Sequence, residues 1–107
     1  MSFCLISTTF PNEASAKSII KLLLEQKFVA CAQMMPIQSF YHWEATLCEE
    51  PECLVLMKTK AEHFEAIKAL VVAHHPYKIP QLIQVTIEQG LEAYLSWIEQ
   101  ETAQEEN

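Results

Sequence analysis

Cys53-Leu54-Val55-Leu56-Met57-Lys58-Thr59-Lys60-Ala61-Glu62-His63-Phe64 joins a strand to a helix with almost nothing between them. Leu54 to Met57 is an unbroken apolar run, the pattern of a strand covered on both faces, so Cys53 to Thr59 is expected inside a sheet. Thr59 and Glu62 have the spacing of a capping box, which would open a helix directly after that strand. Phe64, Ile67, Leu70, Val71 and His74 then recur at helical spacing as one stripe, with His74 partly buried at its end. Pro76 stops the helix, and Leu82 to Glu88 alternates apolar and polar residues as a last strand.

Reading backwards from the same stretch, Phe3 to Thr9 is a β-branched, apolar strand. Pro11-Asn12-Glu13 opens a first helix with Asn12 as N-cap, and Ala16, Ile19, Ile20, Leu23 and Leu24 form its buried face. Phe28 to Tyr41 is a long strand in which Pro36 marks a bend or an edge. Tyr41 to Leu47 continues extended, and Pro51 is expected in the turn. Cys48 and Cys53 would then flank Glu49-Glu50-Pro51-Glu52, an acidic loop tip, and face each other across a hairpin as free thiols. Gly90 leads into a third helix built on Leu91, Tyr94, Leu95 and Ile98. The polar tail from Glu99 to Asn107 is expected to fray.

The order β-α-β-β-α-β, followed by a helix, describes one α+β domain over residues 1–107. It is the ferredoxin-like split βαβ sandwich, an antiparallel sheet with two helices on one face. The other face needs a cover. Middle strands of about 14 residues overhang so small a sheet, and another subunit is the natural place for the overhang to pack.

The charge balance narrows the partners. Fourteen acidic residues, all Glu, stand against seven basic residues, all Lys, for a net charge of −7. With no Arg and no basic cluster, nucleic acid is not expected as a partner. No run approaches the ~20 apolar residues that span a bilayer, and the first residues lack a basic leader. No membrane partner and a cytoplasmic location are therefore expected. Cys4, Cys31, Cys48 and Cys53 form no C-x-x-C pair and no zinc spacing, and Met34-Met35 beside Cys31 reads as core packing.

Several of these segments together resemble the CutA family of divalent-cation tolerance proteins. The marks are Phe28-Val29-Ala30-Cys31-Ala32, Phe40-Tyr41-His42-Trp43-Glu44, Met57-Lys58-Thr59, His74-His75-Pro76-Tyr77-Lys78-Ile79-Pro80 and Tyr94-Leu95-Ser96-Trp97-Ile98. The resemblance runs from about Leu5 to Ile98. It implies a ferredoxin-like protomer in a PII-like homotrimer, linked to tolerance of copper and other divalent metals, with no established reaction. The family's proposed metal site is a Cys, a His and a Glu, which fall here on Thr8, His74 and Gln81. Only His74 is a good ligand, and neutral oxygens suit copper poorly, so any copper or other divalent cation is expected to bind weakly. Ala45 stands where the family often has Gly after Trp-Glu, and Ile37 where it often has Gly after Pro.

The residues themselves allow plainer roles. His74 and His75 at a helix C-terminus offset the dipole and bond free carbonyls. Trp43, with Tyr41 and Ala45 on the same side of the hairpin, could fill a subunit interface, and Glu44 and Lys58 could form an ion pair. The functional reading gathers Trp43, Glu44, Lys58, His74, His75 and Tyr77 into a ligand cleft between subunits. His42 and His63 are expected to face solvent. No nucleophile–base pair is legible, so the chain is not expected to be an enzyme. The competing reading is a PII-like small-molecule sensor acting on an unidentified partner protein, although the Gly-rich loop and Arg cluster of a phosphate site are lacking.

Overall fold

The computed structural model describes residues 2–104. Four strands, β1 (Phe3–Phe10), β2 (Cys31–Trp43), β3 (Thr46–Lys60) and β4 (Leu82–Ile87), pair antiparallel in the order β2-β3-β1-β4. Between and after them lie α1 (Glu13–Glu25), α2 (Phe64–His74) and α3 (Glu92–Glu101). This is the expected ferredoxin-like α+β plan with one helix added.

Strand alternation divides the sheet into two unlike faces. Cys4, Ile6, Thr8 and Phe10 of β1 and Cys53, Val55, Met57 and Thr59 of β3 share one face and are all buried. Ala16, Ile19 and Leu23 of α1 and Ile67 and Val71 of α2 pack into the same core. The other face carries Leu5, Leu54 and Leu56, half-buried, and Ile83 and Val85, each about half exposed. Leu54 and Leu56 thus lack the full cover their apolar run implies.

Asn12 opens α1 as expected, its Oδ1 accepting the Ser15 N–H at 2.9 Å. The helix closes with Phe28 N–H on the Leu23 carbonyl and Lys27 N–H on that of Leu24, both at 3.0 Å. That pattern is a Schellman close, and it puts Lys27 in the left-handed region at φ 59°.

The β2–β3 hairpin departs from expectation. Trp43 pairs with Thr46, so the turn is Glu44-Ala45, with φ 49° and 64°. Two left-handed residues make a tight turn matched to strand twist, the kind usually supplied by Asn-Gly. Pro51 therefore sits within β3, opposite Gln38. It is tolerated there because β1 pairs with β3 only as far as Cys53, beyond which β3 has a free edge. Glu49, Glu50 and Glu52 belong to a strand, not a loop tip, and Ala45 shares no strand face with Trp43. Cys48 and Cys53 lie on the same strand, on opposite faces and roughly 17 Å apart along it. All four cysteines are free.

Thr59 does not cap a helix. It is still paired with Cys4 in β3, and its Oγ1 donates to the Phe28 carbonyl at 2.5 Å. The chain passes instead through a 3₁₀ turn, Ala61–His63, before α2. His63, expected in solvent, is buried there, and its ring Nε2–H donates to the Thr102 carbonyl at 3.0 Å. Thr102 is itself fully buried, its hydroxyl donating to the Ile98 carbonyl at 2.7 Å. The Gln104 amide donates to the Lys27 carbonyl at 2.9 Å. The chain beyond Glu99 is thus tied down as far as Gln104, while residues 105–107 lie outside the described residues. His74, expected to be partly buried, is exposed one turn beyond Val71, where α2 has left the core.

Candidate ligand cleft at the end of the sheet

Pro76 forces His75 out of the helix, with φ −74° and ψ 138°. The ring of His75 then stacks on Phe10, at 4.5 Å between centroids and 17° between planes. Its Nδ1 accepts the Tyr77 N–H at 3.0 Å, so Nε2 carries the proton and donates to the Thr9 carbonyl at 2.7 Å. Burial pushes the imidazole below its ordinary pKa, more than the Thr9 bond and the Glu52 charge restore. Neutral His75 thereby pins the 75–81 segment against the end of β1.

Tyr77 extends the anchor towards the hairpin. Its hydroxyl donates to Glu52 Oε2 at 2.7 Å. Burial, then the bond to the Glu52 carboxylate, raises the phenol's pKa, so Tyr77 stays a donor. Further along, the Gln81 amide donates to Ser7 Oγ at 2.9 Å.

These anchors border a cavity of about 630 Å³. Tyr41, Trp43 and Phe40 line its hairpin side, Tyr77 and Ile79 the segment after α2, and Glu52 lies among them. Thr9, Ser39 and Gln81 complete the lining. Desolvation, and next the Glu50 carboxylate, raise the pKa of the Tyr41 phenol.

The residues expected from the sequence divide. Trp43, Tyr77 and Gln81 line the cavity, and His75 stands behind Tyr77 at 5.0 Å between rings. Glu44 occupies the hairpin turn, whereas Lys58 pairs with Cys31 and bonds Gln33. Twelve residues of strand, roughly 40 Å, separate those two ends, so one subunit cannot bring them together. Phe40, Tyr41, Glu52 and Ile79 were not expected in the cleft. A Glu-Ala turn placed at residues 44–45 would have located the first three, by putting Glu52 back on the strand opposite Ile37.

The metal trio does not form a donor set in the protomer. Thr8 is 1% exposed on the helix-covered face, and among the described residues its Oγ1 has no hydrogen-bond partner. Gln81 bonds Ser7, whose side chain alternates to the other face, and His74 is in solvent. These groups do not fit copper. Among the described residues, no three His, Cys, Asp or Glu side chains come together to hold a metal ion. Burial also holds the Cys4 thiol up at about 11 and raises that of Cys53, which disfavours the thiolate.

A family model described as CutA1 divalent ion tolerance protein matches residues 4–101. The chain belongs to the CutA1 family. The CutA protein of Pyrococcus horikoshii is 34% identical over 98 residues, covering 92% of this chain and 96% of that protein. The CutA protein of Thermus thermophilus is 36% identical over 95 residues, covering 88% and 92%. Both are named divalent-cation tolerance proteins. The fold agrees: the structure of a periplasmic divalent cation tolerance protein CutA from Archaeoglobus fulgidus superposes with a TM-score of 0.92 at 35% identity, covering 94% of this chain and 99% of that one. The left-handed Glu44-Ala45 turn and the His75–Tyr77–Glu52 chain described above are thus set on a CutA1 frame.

Proposed function

We propose that this CutA1 chain serves divalent-cation tolerance as a homotrimer without catalytic turnover, binding its ligand in the cleft at the end of the sheet. The observation that carries this is the uncovered sheet face. Ile83 and Val85 are 52% and 51% exposed, and Met35 on the same face is 45% exposed. An apolar surface of this extent calls for a partner, and a second and third copy of the chain supply it with the same chemistry. The hairpin beyond β1 reaches far enough to wrap a neighbour: seven residues of β3, Thr46 to Glu52, have β2 alone beside them.

The absence of turnover is supported by how the site groups are engaged. Both ring nitrogens of His75 are in hydrogen bonds, so it has no lone pair free to take a proton from a substrate. No helix among the described residues is long and apolar enough to cross a membrane.

Native mass spectrometry with Cu(II) and Zn(II) tests the proposal. The expected species is three times the 12.3 kDa protomer, with weak metal uptake that His74→Ala leaves unchanged. Ile83→Lys should dissociate it. A monomer would overturn the trimer, and tight copper binding lost in His74→Ala would overturn the account of the ligands. The 630 Å³ cavity also favours the sensor reading, in which a small molecule, rather than a bare ion, occupies the cleft.

A further inference from the structure

The cleft has an uneven chemistry. Four aromatic side chains, Phe40, Tyr41, Trp43 and Tyr77, line it, in a chain with only 9% aromatic residues. Among the described residues, Glu52 is the one formally charged side chain in the lining, and no Lys lines it. The Tyr77 hydroxyl occupies one carboxylate oxygen, Oε2, and holds the group in place.

We propose that the cavity between Trp43, Tyr41, Tyr77 and Glu52 binds an organic ammonium ion, with the alkylated nitrogen against the aromatic walls and the Glu52 carboxylate as counter-charge. Alternatives fail on the same observations. An anion would meet a carboxylate and no cation. An amino acid would bring a carboxylate of its own with no Lys in the lining to balance it. A bare divalent ion needs several oxygen or nitrogen ligands at roughly 2.0–2.6 Å, and a cavity of about 630 Å³ with one carboxylate cannot enclose it. A neutral apolar molecule would leave the Glu52 carboxylate desolvated with no counter-charge. A large, weakly hydrated cation uses both features at once, since ring faces attract it electrostatically. The net charge of −7 favours its approach.

This inference names the ligand class of the cleft proposed above and rests on that reading. Isothermal titration with choline and with its uncharged carbon isostere, dimethylbutanol, tests it, on samples whose mass is checked by sedimentation. Choline should bind saturably, and dimethylbutanol at least about tenfold more weakly. Glu52→Gln should reduce choline affinity to that of the isostere. Trp43→Leu, at a partly exposed position that leaves the core intact, should weaken choline by a similar factor. Equal affinity for both probes, or choline binding unchanged in Glu52→Gln, would overturn the inference. A trimer that takes neither probe overturns it while leaving the trimer standing. A monomer that prefers choline upholds it and overturns the trimer instead.

Discussion

His75 does its work by remaining uncharged. A proton added to Nδ1 would break the bond from the Tyr77 N–H and charge a ring stacked on Phe10. Its pKa in the fold lies below the ordinary imidazole value of 6.5, so the unfolded chain takes the proton first as the pH falls. The stability contributed by neutral His75 is therefore complete above about pH 6.5 and declines as pH drops through the lower folded value. Urea unfolding should show a loss between about pH 7.5 and about pH 5 that is smaller in His75→Gln. Equal slopes in variant and wild type would mean that His75 carries none of it. Tyr77 acts next in line. Tyr77→Phe removes its bond to Glu52 and should lower stability by about 1 kcal/mol in the same assay.

At the scale of the element, the three left-handed residues among those described, Lys27, Glu44 and Ala45, are all non-glycine, while the one glycine, Gly90, is not left-handed. Left-handed conformations cost roughly 1 kcal/mol or more when a Cβ is present. Lys27→Gly and Ala45→Gly should each raise the unfolding free energy by about 1 kcal/mol, and a loss in either would contradict the backbone geometry. The same absence explains which elements were legible in the sequence. The helices α1 and α2 and strands β1 and β4 follow hydrophobic spacing and the signals at Asn12 and Pro76, which act locally. The hairpin turn was missed because Glu44-Ala45 lacks a turn signature and Pro51 mimics one. His63 and Thr102 were missed because 39 residues separate them, and no local pattern announces a bond over that distance. Of the cleft, the aromatic and histidine positions were visible as residue types, but Glu52 joined them only once the register was known.

For the whole molecule, the C-terminal segment works as a clasp. The carbonyl of Thr102 satisfies buried His63, and Gln104 reaches the carbonyls at the end of α1. Ending the chain after Glu101 should cost about 2–3 kcal/mol by urea denaturation, because it removes a buried side chain and leaves His63 without its acceptor. A change within about 0.5 kcal/mol, usual for a surface edit, would show that the clasp is idle. The sheet order has a further consequence in time. As β1 lies between β3 and β4, Phe3 pairs with both Lys60 and Ile87. Made before either neighbour, β1 is thus flanked by strands synthesised later, and at roughly 5–20 residues per second it waits several seconds for the nearer one. During that interval Cys4, Ile6 and Phe10, which end fully buried, have only α1 to shelter them, and nascent chains stalled before Lys60 should be the ones that chaperones hold.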